Sequence, residues 1–189
     1  MTHRYGRLLP VLSLLVVPLV PSPGAAQEVL RRSQHGSVSQ TVNSTEISLS
    51  YNRPVARGRT LFGGIVRYGR SWNPGADSAT QVVFSRDVEI AGEPMPAGSY
   101  TLWIIPDTTE WIVIFSMATD VWHVPYPAGQ DALRIPIVPT SGDHMETLAF
   151  YFPIVGPSSA TLRLHWGTTV IDIPIEVAAE LEPFGAGSD

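Results

Sequence analysis

An all-β fold, an antiparallel β-sandwich of about ten short strands with little helix, is predicted by three features of the sequence. Beyond residue 36, apolar residues recur at every second position, and such alternation turns one side of a strand to a core and the other to water. No stretch of ten or more residues carries the apolar stripe of a helix, so helix is expected to be limited to a turn or two. Turn-forming Gly, Pro, Asn and Asp punctuate the chain at the short spacing typical of sandwiches.

Taken in order, residues 1–26 read as a secretory signal peptide. His3, Arg4 and Arg7 make a basic start, residues 8–20 are apolar except for Pro10, Ser13 and Pro18, and the segment closes in small residues at Ala26. The apolar run is shorter than the roughly 20 residues a membrane-spanning helix needs, and no later segment is longer. An exported product, periplasmic or secreted, with no membrane span after cleavage is therefore expected. Residues 27–36 are expected to be a flexible lead-in, 37–178 a single sandwich domain, and 179–189 a flexible tail, since that end is acidic and rich in Gly.

Within the domain, Ile47, Leu49 and Tyr51 alternate with Glu46, Ser48 and Ser50. Leu148, Phe150 and Phe152 form a second alternating set, Leu162, Leu164 and Trp166 a third, and Ile171, Ile173, Ile175 and Val177 a fourth. Residues 100–105 and 111–115 are apolar on both faces and predict central strands, joined by a hairpin loop at 106–110. Pro136 and Pro174 fall within strand patterns and point to edges or bulges, because proline has no N–H to give the ladder. Strands are expected near 38–42, 46–51, 80–85, 87–90, 99–105, 111–117, 132–138, 146–152, 160–166 and 169–177.

Between Asn52 and Thr80 lies a connection too long for an ordinary turn, and loops of that length in compact domains are usually functional or disordered. Leu61, Phe62, Ile65, Val66, Tyr68 and Trp72 give it apolar anchors, which predicts an ordered covering loop.

Charge points to the same segment. The 189-residue chain has 12 cations, all Arg, against 17 acids, and it lacks both Lys and Cys. Disulfides, thiolate metal sites, thiol nucleophiles, Schiff-base lysines and the Walker phosphate loop are thereby excluded. Five of the arginines, Arg53, Arg57, Arg59, Arg67 and Arg70, lie in 47–76 with no acid among them, whereas 14 of the acids lie beyond residue 86. One cationic stretch in an anionic body is the result, and this acidic balance with no recognised binding signature makes nucleic acid a poor partner.

The order Val38-Ser39-Gln40-Thr41-Val42, Tyr51, Arg53-Pro54, Gly58-Arg59, Phe62-Gly63, Tyr68-Gly69, Trp72 and Gly75-Ala76 resembles a known pattern. With Ala79-Thr80, the Pro96-Ala97-Gly98 turn before Tyr100, and Ile105-Pro106 leading to Trp111, it is similar to exported bacterial proteins of the domain of unknown function 2911 family. The resemblance runs over about 37–177 and implies an exported fold without implying a reaction. After Trp72 this chain has Asn73-Pro74-Gly75-Ala76-Asp77 where the family pattern has a basic residue followed by Thr-Gly-Ala-Asn.

Arginine offers a rigid, permanently charged fork for carboxylate, phosphate or sulfate, and Tyr68 and Trp72 offer faces for stacking. Arg53, Arg57, Arg59, Tyr68, Trp72 and Asp77 are accordingly the candidate ligand-binding residues. The ligand class they predict is an anionic small molecule, a glycan or a partner surface, bound by a module without catalytic residues. The structural alternative is that the arginines pair with acids of the C-terminal half while the aromatics plug one end of the sandwich. A second functional class is a hydrolase using Asp77 or His123 near the same arginines. No HExxH or Gly-x-Ser-x-Gly occurs, and the residues left after signal removal, His35, His123, His144 and His165, are not paired at metal-binding spacing. His165 alternates with Leu164 and Trp166 and is expected on the polar face of its strand, and His144 in a Ser-Gly-Asp turn. No metal or cofactor is implied.

Overall fold

A computed structural model describes residues 33–178. The expected signal peptide and acidic tail lie outside the described residues.

Two antiparallel sheets face one another. The first has strand order β1-β2-β3-β6-β7-β8 and the second β5-β4-β10-β9. The strands are β1 (Gln34–Val42), β2 (Thr45–Arg53), β3 (Gln81–Phe84), β4 (Val88–Ile90) and β5 (Glu93–Met95). They continue as β6 (Gly98–Ile105), β7 (Trp111–Ser116), β8 (Asp131–Ile137), β9 (Thr140–Val155) and β10 (Ser159–Val177). The all-β sandwich with one long ordered loop is therefore the observed architecture, and the described residues include no helix long and apolar enough to cross a membrane.

Alternation within each strand builds the core. Ile47, Leu49, Val82, Phe84, Leu102, Ile104, Val113 and Phe115 of the first sheet meet Ile90, Met95, Leu148, Phe150, Leu162, Leu164, Ile171 and Ile173 of the second. Burying each such side chain contributes roughly 1.5–3 kcal/mol, so a domain of this size needs no disulfide. The doubly apolar segments are the central strands β6 and β7, whose outer residues Trp103 and Ile114 are covered by Val121 and Tyr126 of the β7–β8 connection. Pro136 sits on β8, an edge of the first sheet, and Pro174 lies at the end of the β4–β10 pairing, one residue before Ile175, where its carbonyl accepts from Ala91 N.

The structure differs from the sequence reading in four places. β5, with only three residues and Pro94 in the middle, is too short to show alternation, yet it pairs with β4 and buries Met95. The Ser-Gly-Asp stretch before His144 is strand, not turn: β9 begins at Thr140, and Ser141 pairs with Thr169. The segments near 160–166 and 169–177 form one element that folds back on itself. Val177 N donates to Ser158 O at 2.9 Å, and Arg163 pairs with Asp172 through two contacts of 2.6 and 2.7 Å. An extended strand would hold those two residues roughly 30 Å apart, at about 3.3 Å per residue. The reversal falls at Gly167, whose φ of 60° suits a residue without Cβ. β1, for its part, begins at Gln34, three residues ahead of the expected domain boundary.

Candidate functional site

The long loop, residues 54–80, leaves the first sheet after β2 and re-enters it at the neighbouring β3, and it is hydrogen-bonded to both sheets on the way. Leu148 N donates to Pro54 O and Ala56 N to Glu146 O, which fastens its start to β9. A tight turn follows, in which Ile65 N donates to Thr60 O and Val66 N to Leu61 O. Gly64 is required there, because a Cβ would lie 2.2 Å from Thr60 O. Trp72 and Ile104 then exchange main-chain hydrogen bonds of 2.8 Å, tying the loop to the end of β6. Beyond them Asn73 is buried, donating from Nδ2 to Leu102 O and accepting from Thr80 N.

Phe62 is the hub of an aromatic cluster at this end of the sandwich. Its ring centroid lies 4.6 Å from that of Trp111, 5.7 Å from Trp72 and 6.2 Å from Trp166, while Trp72 and Trp166 stack at 6.0 Å. The aromatics thus plug the sandwich, as the structural alternative foresaw. Trp72 is part of the plug rather than a free stacking face.

Where the loop meets the reversal of β10 there is a cleft of about 320 Å³. Phe62, Leu61 and Trp166 supply apolar wall, and Arg59, Tyr68, His144, Thr168 and Thr169 supply polar groups. Gly167 brings the two sides together, since a Cβ there would come 2.8 Å from Leu61 Cδ1.

Arg59 is held in an unusual way. Its Nε donates to Ala56 O at 2.9 Å and its Nη2 to Val55 O at 2.6 Å, and no carboxylate pairs with it among the described residues. The guanidinium is positioned by its own loop and keeps its charge unneutralised. Of its five N–H donors two are used, and the remainder are left for a ligand. His144 lies 3.0 Å from Glu146 Oε2, while Glu146 Oε1 accepts from Arg57 N at 2.6 Å. The hydrogen bond from His144, followed by that from the Arg57 amide, holds the Glu146 carboxyl below its usual range.

That depression has a sign. Glu146 binds its proton less tightly folded than unfolded, so its contribution to stability is present above the ordinary carboxylate pKa of 4.5 and lost as pH falls through the lowered folded value. In Tm measured against pH, the gap between the wild-type protein and Glu146→Gln should be constant near neutrality and shrink in acid below pH 4.5. A gap unchanged down to about pH 3, well under the carboxylate reference, would mean that the pair contributes nothing ionic.

The remaining candidate residues go elsewhere. Arg53 Nε donates to Leu148 O at 3.1 Å, joining β2 to β9, and Arg53 does not line the cleft. Arg57 engages Glu146 through its main chain and sits in the left-handed region, with φ of 54°. Asp77 lies outside the cleft, beside the 121–123 stretch: Ser78 bridges to Trp122, and His123 N and Nδ1 both approach Asp77 O, at 2.9 and 2.7 Å. Asp77 and His123 therefore do meet, but through the carbonyl of Asp77 and away from Arg59. His165 is a correction. It is 6% exposed, with Nε2 2.8 Å from Asp143 O and Nδ1 3.2 Å from Tyr151 OH, because the early part of β9 lies over what would have been the polar face.

Sequence reasoning missed His144, Thr168, Thr169 and Trp166 as cleft residues. Alternation placed Trp166 in the core, where it is 2% exposed, yet its Nε1 has no hydrogen-bond partner among the described residues. Nor do any three His, Asp or Glu side chains among those residues gather as a metal site would require.

These features define an antiparallel β-sandwich whose clasped loop and folded-back strand enclose a small mixed cleft. The chain belongs to the family described as Protein of unknown function (DUF2911), whose model matches residues 33–175, in agreement with the resemblance carried by the loop motifs. No curated protein and no solved structure matches the chain.

Proposed function

We propose that the protein is an exported, non-catalytic binding module that receives an anionic ligand in the cleft beside Arg59. The observation that carries this reading is the state of Arg59, a guanidinium fixed by two main-chain carbonyls and left without a carboxylate at the mouth of a cleft. Arg53 is likewise bonded to a main-chain carbonyl, but of the two only Arg59 lines the cleft. The carbonyls fix the direction of Arg59 without cancelling its charge. Export rests on the basic start, apolar run and small-residue end of residues 1–26.

The test is calorimetric titration of the purified protein with small carboxylates, phosphate and sulfate, repeated on Arg59→Gln. Binding weakened about tenfold by the substitution, and weakened by added salt, is the expected result, since one charge-assisted hydrogen bond contributes about 1.5–3 kcal/mol. Anion binding of equal strength in Arg59→Gln would place the site elsewhere.

A further inference from the structure

The ligand class can be narrowed on the basis of that reading. We infer that the cleft takes an acidic sugar, a pyranose ring seated against Tyr68 with its carboxylate on Arg59.

Charge count comes first. Arg59 is the permanent cation among the lining residues, and the other basic one, His144, lies against Glu146 Oε2. A single fixed positive charge matches a monoanion. A phosphate ester, at about −1.5 to −2 near neutral pH, would remain partly uncompensated. The planar fork of arginine also pairs with both oxygens of a carboxylate at once, and its Nη1 group is uncommitted among the described residues.

The rest of the lining asks for a ligand that is apolar on one face and hydroxylated at its rim. Tyr68 is 42% exposed and lines the cleft, and its ring is backed by Gly63, where a Cβ would lie 2.8 Å from Tyr68 Cε2. An exposed aromatic supported from behind by main chain is a platform, which a sugar's C–H face can cover. Thr168 and Thr169, on the reversal of β10, also line the cleft and are of a type that hydrogen-bonds sugar hydroxyls. Trp166 lines the same cleft and carries a buried Nε1–H that has no hydrogen-bond partner among the described residues. A simple carboxylate such as acetate has no ring to cover Tyr68. At about 320 Å³ the cleft is at the lower end of ligand-site volumes, suited to one or two rings.

The experiment is titration of the protein with galacturonate, its neutral methyl ester, acetate and inorganic phosphate, with Tyr68→Ala and Tyr68→Phe as variants and circular dichroism to confirm their folding. Galacturonate should bind at least tenfold more tightly than its methyl ester or acetate, lose about tenfold in Tyr68→Ala, and keep most of its affinity in Tyr68→Phe. Acetate or phosphate binding as tightly as galacturonate, or indifference to Tyr68→Ala, would overturn the sugar assignment while leaving the anion site standing. Failure of every anion to bind would overturn both.

Discussion

Replacing Trp111 with alanine is expected to lower stability by about 3–5 kcal/mol, the usual loss for a large aromatic removed from a core. In a domain of this length each kcal/mol shifts Tm by about 2–4 °C, so a fall of about 6–20 °C should appear in a thermal melt. Three contributions converge at this residue. Its ring is almost fully buried and packs 4.6 Å from Phe62, and its Nε1 donates to Asp107 O at 2.7 Å, closing the β6–β7 hairpin. Truncation would leave a cavity beneath the loop, and it would leave Phe62 without its nearest ring. Trp111→Phe separates the terms, since it keeps most of the packing and loses the hydrogen bond, and it should cost about 1–2 kcal/mol. Equal effects of the two substitutions would show that the hydrogen bond, not the packing, dominates.

The second large effect is expected at Asn73, which is polar, 2% exposed and bonded in both directions across the loop base. Asn73→Ala removes the donor to Leu102 O and the acceptor for Thr80 N, leaving two buried main-chain groups short of a partner. Each such group costs about 1–3 kcal/mol, giving a predicted loss of about 2–6 kcal/mol. Hydrogen exchange distinguishes this from a uniform loss of stability. The amides of Trp72 and Gly75, inside the clasp, should exchange faster by more than those of Val113 in the central strand β7. Uniform acceleration would mean that Asn73 serves the whole sandwich rather than the loop. Asn73 is thus a buried clasp rather than a surface group.

Much of the fold is legible in the sequence because its signals are local. Period-two alternation in 46–52 and 146–152 predicts strands because each residue's own face decides whether it meets the core. The doubly apolar segments at 100–105 and 111–115 identify the centre of a sheet in the same way. The covering loop is legible for a related reason: a connection with six large apolar residues has surface to bury, and so it orders. Of the candidate site, Arg59 and Tyr68 were readable, and they do reach one cleft. Arg53 and Asp77 were indistinguishable from them in sequence and lie elsewhere, because an arginine's partner is chosen by what lies across the fold. For Arg53 that partner is Leu148 O, 95 residues away.

The sequence by itself determined the class of fold, the hairpin at 106–110 and the order of the long loop, all of which depend on residues within a few positions of one another. Tertiary structure alone decided that β10 reverses at Gly167, that β9 covers His165, and that the reversal closes a cleft against the loop. It also decided which arginine lines that cleft. Those outcomes rest on contacts between segments far apart in the chain, such as Arg57 with Glu146 and Leu61 with Gly167. No local periodicity records them, since a hydrogen-bond donor's environment is set by whichever strand the fold brings to face it.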